Sequence, residues 1–194
     1  MIEVGSNLAS LAKALGIQSN DYNDTHQWSI QHSDAFWTHI LNDIPHEGSS
    51  QAVQYKKAHP CETQWFPNVK LNYAEYILRY AETHPHDTAI LWPRGEEKSQ
   101  KTQYTFLELK QAVAAVIAVF ESKGLKTGDY VAGIVSNTPA AIIAMLATTA
   151  MGAVWTATAC NYGPEAILSR FQQLPIKLLI CDTVYSEKGQ SHDI

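Results

Sequence analysis

With 45% hydrophobic and 17% charged residues over 194 positions, the chain can form one domain that buries about 70% of its unfolded surface. A net charge of −5 with no Lys/Arg stripe argues against a nucleic-acid surface. Cys61, Cys160 and Cys181 lie far apart, which argues against a disulfide framework or zinc site and fits a reducing, cytoplasmic setting. The first residues are not a basic region before an apolar run, so no secretory leader is expected.

Leu8, Leu11, Ala12 and Leu15 mark a short amphipathic helix ended by Gly16. Ser33 and Asp34 open a second helix carrying Phe36, Trp37, Ile40 and Leu41. Residues 45–60 are polar and read as loop, followed by the aromatic pair Trp65 and Phe66, which shows neither helical nor strand periodicity. The expected organisation is a helical arm and loop over 1–60 and an α/β body over 61–194.

Asn72 with Glu75, and Thr105 with Glu108, have capping-box spacing. The first predicts a helix to about Thr83. The second predicts a helix with Phe106, Leu109, Val113, Val116 and Phe120 on one apolar stripe, ended at Gly124. Between them, 88–92 and 101–104 read as a hairpin around a charged loop. His84 and His86 form the one close histidine pair, in a turn without metal-ligand spacing.

From 130 to 164 there is no charged residue. A membrane helix would need about 20 continuous apolar residues, but Gly152 interrupts the run, and Val154, Thr156 and Thr158 alternate with a strand's period. Neither end carries a basic cluster. The stretch instead predicts a strand over 130–136, Thr138 as N-cap, Pro139 at the first helical position, and a helix over 140–151 apolar enough to be covered on both faces. Gly152 ends that helix, and a strand over 153–159 follows. Pro164 opens another helix that carries Ile167, Leu168, Phe171 and Leu174 at helical spacing, Pro175 stops it, and 176–181 is an apolar strand. The fold class is therefore α/β, a wound, mainly parallel sheet with helices on both faces.

No phosphate-binding Gly-rich Lys-Ser/Thr loop, dinucleotide Gly-x-Gly-x-x-Gly or Gly-x-Ser-x-Gly elbow occurs, which disfavours a dinucleotide-binding oxidoreductase. No carboxylate pair sits in an apolar frame. Ligands of wound sheets bind outside the strands' carboxyl ends, here Ser136, Asn137 and Thr138; Cys160, Asn161 and Tyr162; and Asp182 and Thr183. Taken singly, Asn137, Thr138 and Asn161 are ordinary turn and cap residues.

The run Trp65-Phe66-Pro67-Asn68-Val69-Lys70-Leu71-Asn72-Tyr73-Ala74-Glu75 resembles a segment of the acetoacetyl-CoA synthetases. The ordered blocks Gly128-Asp129-Tyr130-Val131, Asn137-Thr138-Pro139, Gly152-Ala153-Val154-Trp155, Asn161-Tyr162-Gly163 and Arg170-Phe171-Gln172-Gln173 extend the resemblance over nearly the whole chain. These enzymes belong to the adenylate-forming acyl-CoA synthetases. The resemblance implies a ligase that uses ATP and Mg²⁺ to make an acyl-adenylate from acetoacetate or another short acyl acid, and then transfers the acyl group to CoA. It also implies that the family's phosphate loop and C-terminal Lys follow the last residue here, so the chain is expected to be an N-terminal piece without catalytic residues and inactive alone. In acetyl-CoA synthetases some CoA contacts come from the loop matching 159–161 and from basic residues after the next strand. The implied CoA contacts are thus Cys160, Asn161 and Lys188, although the first loop lacks the family's glycines and the second its Arg. The alternative is a non-catalytic interaction module on the same scaffold, whose unpaired sheet edge predicts self-association.

Overall fold

The computed structural model describes residues 7–18, 21–49, 54–55, 59–62, 64–93, 101–187 and 190–194. The chain divides into two compact units, Met1–Leu71 and Asn72–Ile194.

The first unit is mainly helical. Helix α1 (Asn7–Ala14) buries Ala12. Helix α2 (Tyr22–Gln31) starts where the Asp21 carboxylate accepts a hydrogen bond from the Asn23 amide at 3.0 Å. This helix has no counterpart in the apolar pattern, because Thr25 alone of its residues is buried; a local cap and ring stacking such as Trp28 on His32 (4.7 Å between centroids) hold it instead. Helix α3 (Ser33–Asn42) buries Leu41. The segment 45–60 expected to be loop contains the two-residue strands β1 (Glu47–Gly48) and β2 (Gln54–Tyr55), and the aromatic segment after it contains β3 (Gln64–Trp65) and β4 (Val69–Lys70), paired antiparallel as β1 with β4 and β2 with β3. Such pairs are too short to show an alternating pattern. Trp65 has a tertiary partner, meeting Trp37 edge-on at 5.8 Å.

The second unit begins at Asn72, whose side chain accepts from the Ala74 and Glu75 amides and so caps α4 (Tyr73–Leu78). Its amide nitrogen also donates to the Thr149 and Ala150 carbonyls, so the cap residue doubles as a tie to a later helix. Arg79 separates α4 from α5 (Tyr80–Thr83), where one continuous helix was expected. Strands β5 (Thr88–Pro93) and β6 (Lys101–Thr105) form the antiparallel hairpin; most of its connecting loop lies outside the described residues. Helix α6 (Phe106–Ser122) has the full capping box and buries Leu109, Val113 and Phe120 from the predicted stripe.

Strand β7 (Tyr130–Ile134), helix α7 (Pro139–Ala150), strand β8 (Val154–Thr158), helix α8 (Pro164–Phe171) and strand β9 (Ile176–Cys181) follow. The strands are parallel in the order β8-β7-β9. The crossover after β7 and the one after β8 therefore run in opposite directions, and right-handed connections put α7 and α8 on opposite faces. The α7 face is the core: Val131, Leu146, Ala147 and Ala153 are buried with Leu109 and Val113, and Trp155, Leu178 and Ile180 pack against them. Helix α7 is covered over most of its surface, but Ile142 stays partly exposed. Thr138 occupies its N-cap position without a side-chain cap bond; Pro139 at the first helical position supplies the start. The segment after β9 carries a second antiparallel hairpin, β10 (Val184–Glu187) with β11 (Gln190–Asp193), where only a loop was expected.

Candidate functional site

Ile134 and Thr158 are register partners at the ends of β7 and β8. Beyond them the chain turns towards α7 on one side and α8 on the other. The gap between these diverging segments is a cleft of about 210 Å³, with Val135, Ser136 and Asn137 on one wall, Ala159, Cys160 and Asn161 on the other, and Tyr185 of β10 closing an end. It lies where the strand order reverses, the position at which wound sheets bind ligands.

Hydrogen bonds that prolong the sheet hold the walls. The Val135 amide donates to the Thr158 carbonyl at 3.3 Å, and the Asp182 amide to the Ile134 carbonyl at 3.0 Å. The Ser136 amide donates to Asp182 Oδ2 at 2.7 Å. Ser136 Oγ lies 3.5 Å from Cys160 Sγ and so joins the two walls. Cys160 is buried with 8% of its surface exposed. The thiol of nearby Cys181, a residue that is exposed as a whole, is pushed up mainly by desolvation, with smaller contributions from Cys160 and Asp182. Outside the cleft, the Arg170 guanidinium lies 4.3 Å over the Tyr162 ring, placing a cation beside the second wall's loop.

Two sequence-predicted site residues, Cys160 and Asn161, line the cleft together. Lys188 lies outside the described residues. Asn137 lines the opposite wall. Tyr185 was missed as a wall residue because the strand that carries it has no apolar run. Among the described residues no group of three or more His, Cys, Asp or Glu could hold a metal ion. Among the described residues, too, no helix is long and apolar enough to cross a membrane.

Residues 77–193 match the family model described as AMP-binding enzyme, and residues 22–76 match that of the acetyl-coenzyme A synthetase N-terminus. The chain belongs to the AMP-binding enzyme family. Within it, the chain is similar to acetoacetyl-CoA synthetases. It is 32% identical to that of Gallus gallus over 188 residues, 95% of this chain and 28% of the relative. It is 32% identical to that of Rhizobium meliloti over 177 residues, 90% of this chain and 26% of the relative. The solved structure of acetoacetyl-CoA synthetase from Streptomyces lividans superposes with a TM-score of 0.84 at 34% identity, covering 94% of this chain and 29% of that one. The chain thus spans a little over a quarter of the length of these relatives, and its wound sheet is part of an adenylate-forming fold.

Proposed function

We propose that the chain is the N-terminal portion of an ATP-dependent acetoacetate–CoA ligase, and that the cleft at the ends of β7 and β8 contributes to the CoA site. The overall reaction would be adenylation of the acetoacetate carboxylate with release of pyrophosphate, then attack of the CoA thiol with release of AMP. The observation that carries this reading is the similarity to acetoacetyl-CoA synthetases over at least nine-tenths of the chain in both sequence and structure. The cleft, at about 210 Å³, is smaller than the roughly 300–1,000 Å³ of pockets that enclose drug-sized ligands. It would hold only a portion of CoA, against Cys160 and Asn161, with Lys188 the proposed cation. ATP and Mg²⁺ belong to the whole enzyme. The proposed setting is cytoplasmic, in keeping with three free cysteines.

These residues alone are expected to release no pyrophosphate when given ATP, Mg²⁺, acetoacetate and CoA. Positioning and charge stabilisation of the phosphates would fall to the phosphate loop and mobile Lys implied for the whole enzyme. A coupled pyrophosphate assay on the purified chain checks this, and sustained acetoacetate-dependent turnover would overturn it.

A second reading, a self-associating interaction module, is favoured by one observation. An apolar groove of about 750 Å³ lies between α8 and the outer face of β9, and there Leu168 and Leu179 are 64% and 56% exposed. Its partner would be a second copy of the chain.

A further inference from the structure

We propose that Asp182 is a positioning residue for the cleft: its carboxylate fixes the Ser136 wall and, through Ser136, the Cys160 wall. The inference rests on the cleft being the CoA-contacting site proposed above.

The β7–β9 ladder ends at the pair Ile134 and Cys181. One residue further, the backbone of Asp182 still bonds β7, its amide donating to the Ile134 carbonyl. The next donor on β7's side is the Ser136 amide, which has left the ladder and needs an acceptor. Asp182 Oδ2 supplies it at 2.7 Å across 46 residues of sequence. A carboxylate acceptor makes this stronger than a bond between neutral groups. Bonded from both its backbone and its side chain, Asp182 holds the peptide unit at which β7 turns away from the sheet.

Three consequences converge on the cleft. The Ser136 carbonyl is set to accept from the Thr138 amide at 2.8 Å, which tightens the turn presenting Asn137. The Ser136 hydroxyl is set against Cys160 Sγ at 3.5 Å. Asp182 also starts the short connection to β10, which delivers Tyr185. The Asp182 side chain thus acts on both walls, and its backbone leads to Tyr185, as a group supporting a binding site must if the site is to stay pre-organised.

The test is the labelling rate of Cys160 by an aromatic disulfide reagent, in the full chain with Cys61→Ser and Cys181→Ser, without and with S-methyl-CoA, a CoA with no free thiol to consume the reagent, as the protecting ligand. Asp182→Ala is expected to raise that rate by at least about tenfold and to weaken CoA protection by a similar factor, the effect of losing a hydrogen bond to a charged group. Asp182→Asn keeps an acceptor oxygen and is expected to stay within about twofold of the parent on both readouts. Thr105→Ala, remote in sequence and on the N-cap of α6, serves as the control for global stability. An unchanged rate in Asp182→Ala, or a rise matched by Thr105→Ala at equal loss of thermal stability, would overturn the inference. Faster labelling in Asp182→Ala with no CoA protection even in the parent would uphold the positioning role and overturn the CoA reading. If Asp182→Ala does not fold, amide exchange in the parent decides: the Ser136 amide must exchange at least about tenfold slower than an unprotected one, and fast exchange overturns the inference.

Discussion

Gly133 is buried in the central strand, and a Cβ placed there would lie 2.7 Å from the Trp155 ring. The residue is required by side-chain packing: Gly133 and Trp155 share the core face of neighbouring strands, and the indole fills the space a larger residue would take. Gly133→Ala is expected to destabilise the chain by about 1–3 kcal/mol through overpacking. The loss should shrink when Trp155→Phe removes the outer ring, and a double-mutant cycle from urea melts measures that coupling.

A second residue-scale effect concerns pH. Lys177 Nζ donates to Asp129 Oδ2 at 2.7 Å, and the Lys126 amide donates to the same oxygen. The Lys177 hydrogen bond, followed by that from the Lys126 backbone, holds the Asp129 carboxyl below its ordinary value. The folded state therefore binds this proton less readily than the unfolded chain. The stabilisation is complete above the ordinary carboxylate value of about 4 and is lost as pH falls through the lowered one. Asp129→Asn should flatten the decline of the urea midpoint between neutral and acid pH. An equally steep decline in the variant would show that other carboxylates carry it.

Helix starts show how one kind of sequence signal divides into working and idle caps. Thr105 accepts from the Glu108 amide while Glu108 Oε2 accepts from the Thr105 amide at 2.7 Å, so both halves of the box form. These bonds also hold the Glu108 carboxyl below its ordinary value. Thr138 stands at the equivalent position of α7 without a side-chain cap bond. Thr105→Ala should cost about 1 kcal/mol and Thr138→Ala only a few tenths, because only the first removes a partner from an end amide. Thermal melts of the two variants compare them directly, and equal losses would contradict the geometry.

The parallel core strands were legible because Pro139, Gly152, Pro164 and Pro175 punctuate the apolar runs. Helix α2 was not, since a helix that buries one threonine leaves no apolar stripe to read. The β10–β11 hairpin was equally silent, because its polar strands pair with each other and do not join the three-stranded sheet.

For the whole molecule, the open question is what meets the groove between α8 and β9. If a second copy fills it, light scattering after size exclusion will show a mass that rises with concentration, and Leu168→Glu with Leu179→Glu will return the chain to a monomer. A parent that remains monomeric throughout would remove the interaction-module reading, since exposed apolar surface of this kind otherwise drives association.

Local chemistry along the chain was enough to place the parallel strands, the cap residues and the positions of Cys160 and Asn161, because helix and strand periods and turn residues act over a few positions. The ordered motif blocks were enough to mark the acyl-CoA synthetase lineage. Neither could say that β7 is the central strand, that Tyr185 joins the walls, or that Asp182 reaches Ser136. Those relations belong to the order β8-β7-β9. That order is set by which faces bury one another when the sheet assembles, so it joins residues dozens of positions apart that no local pattern connects.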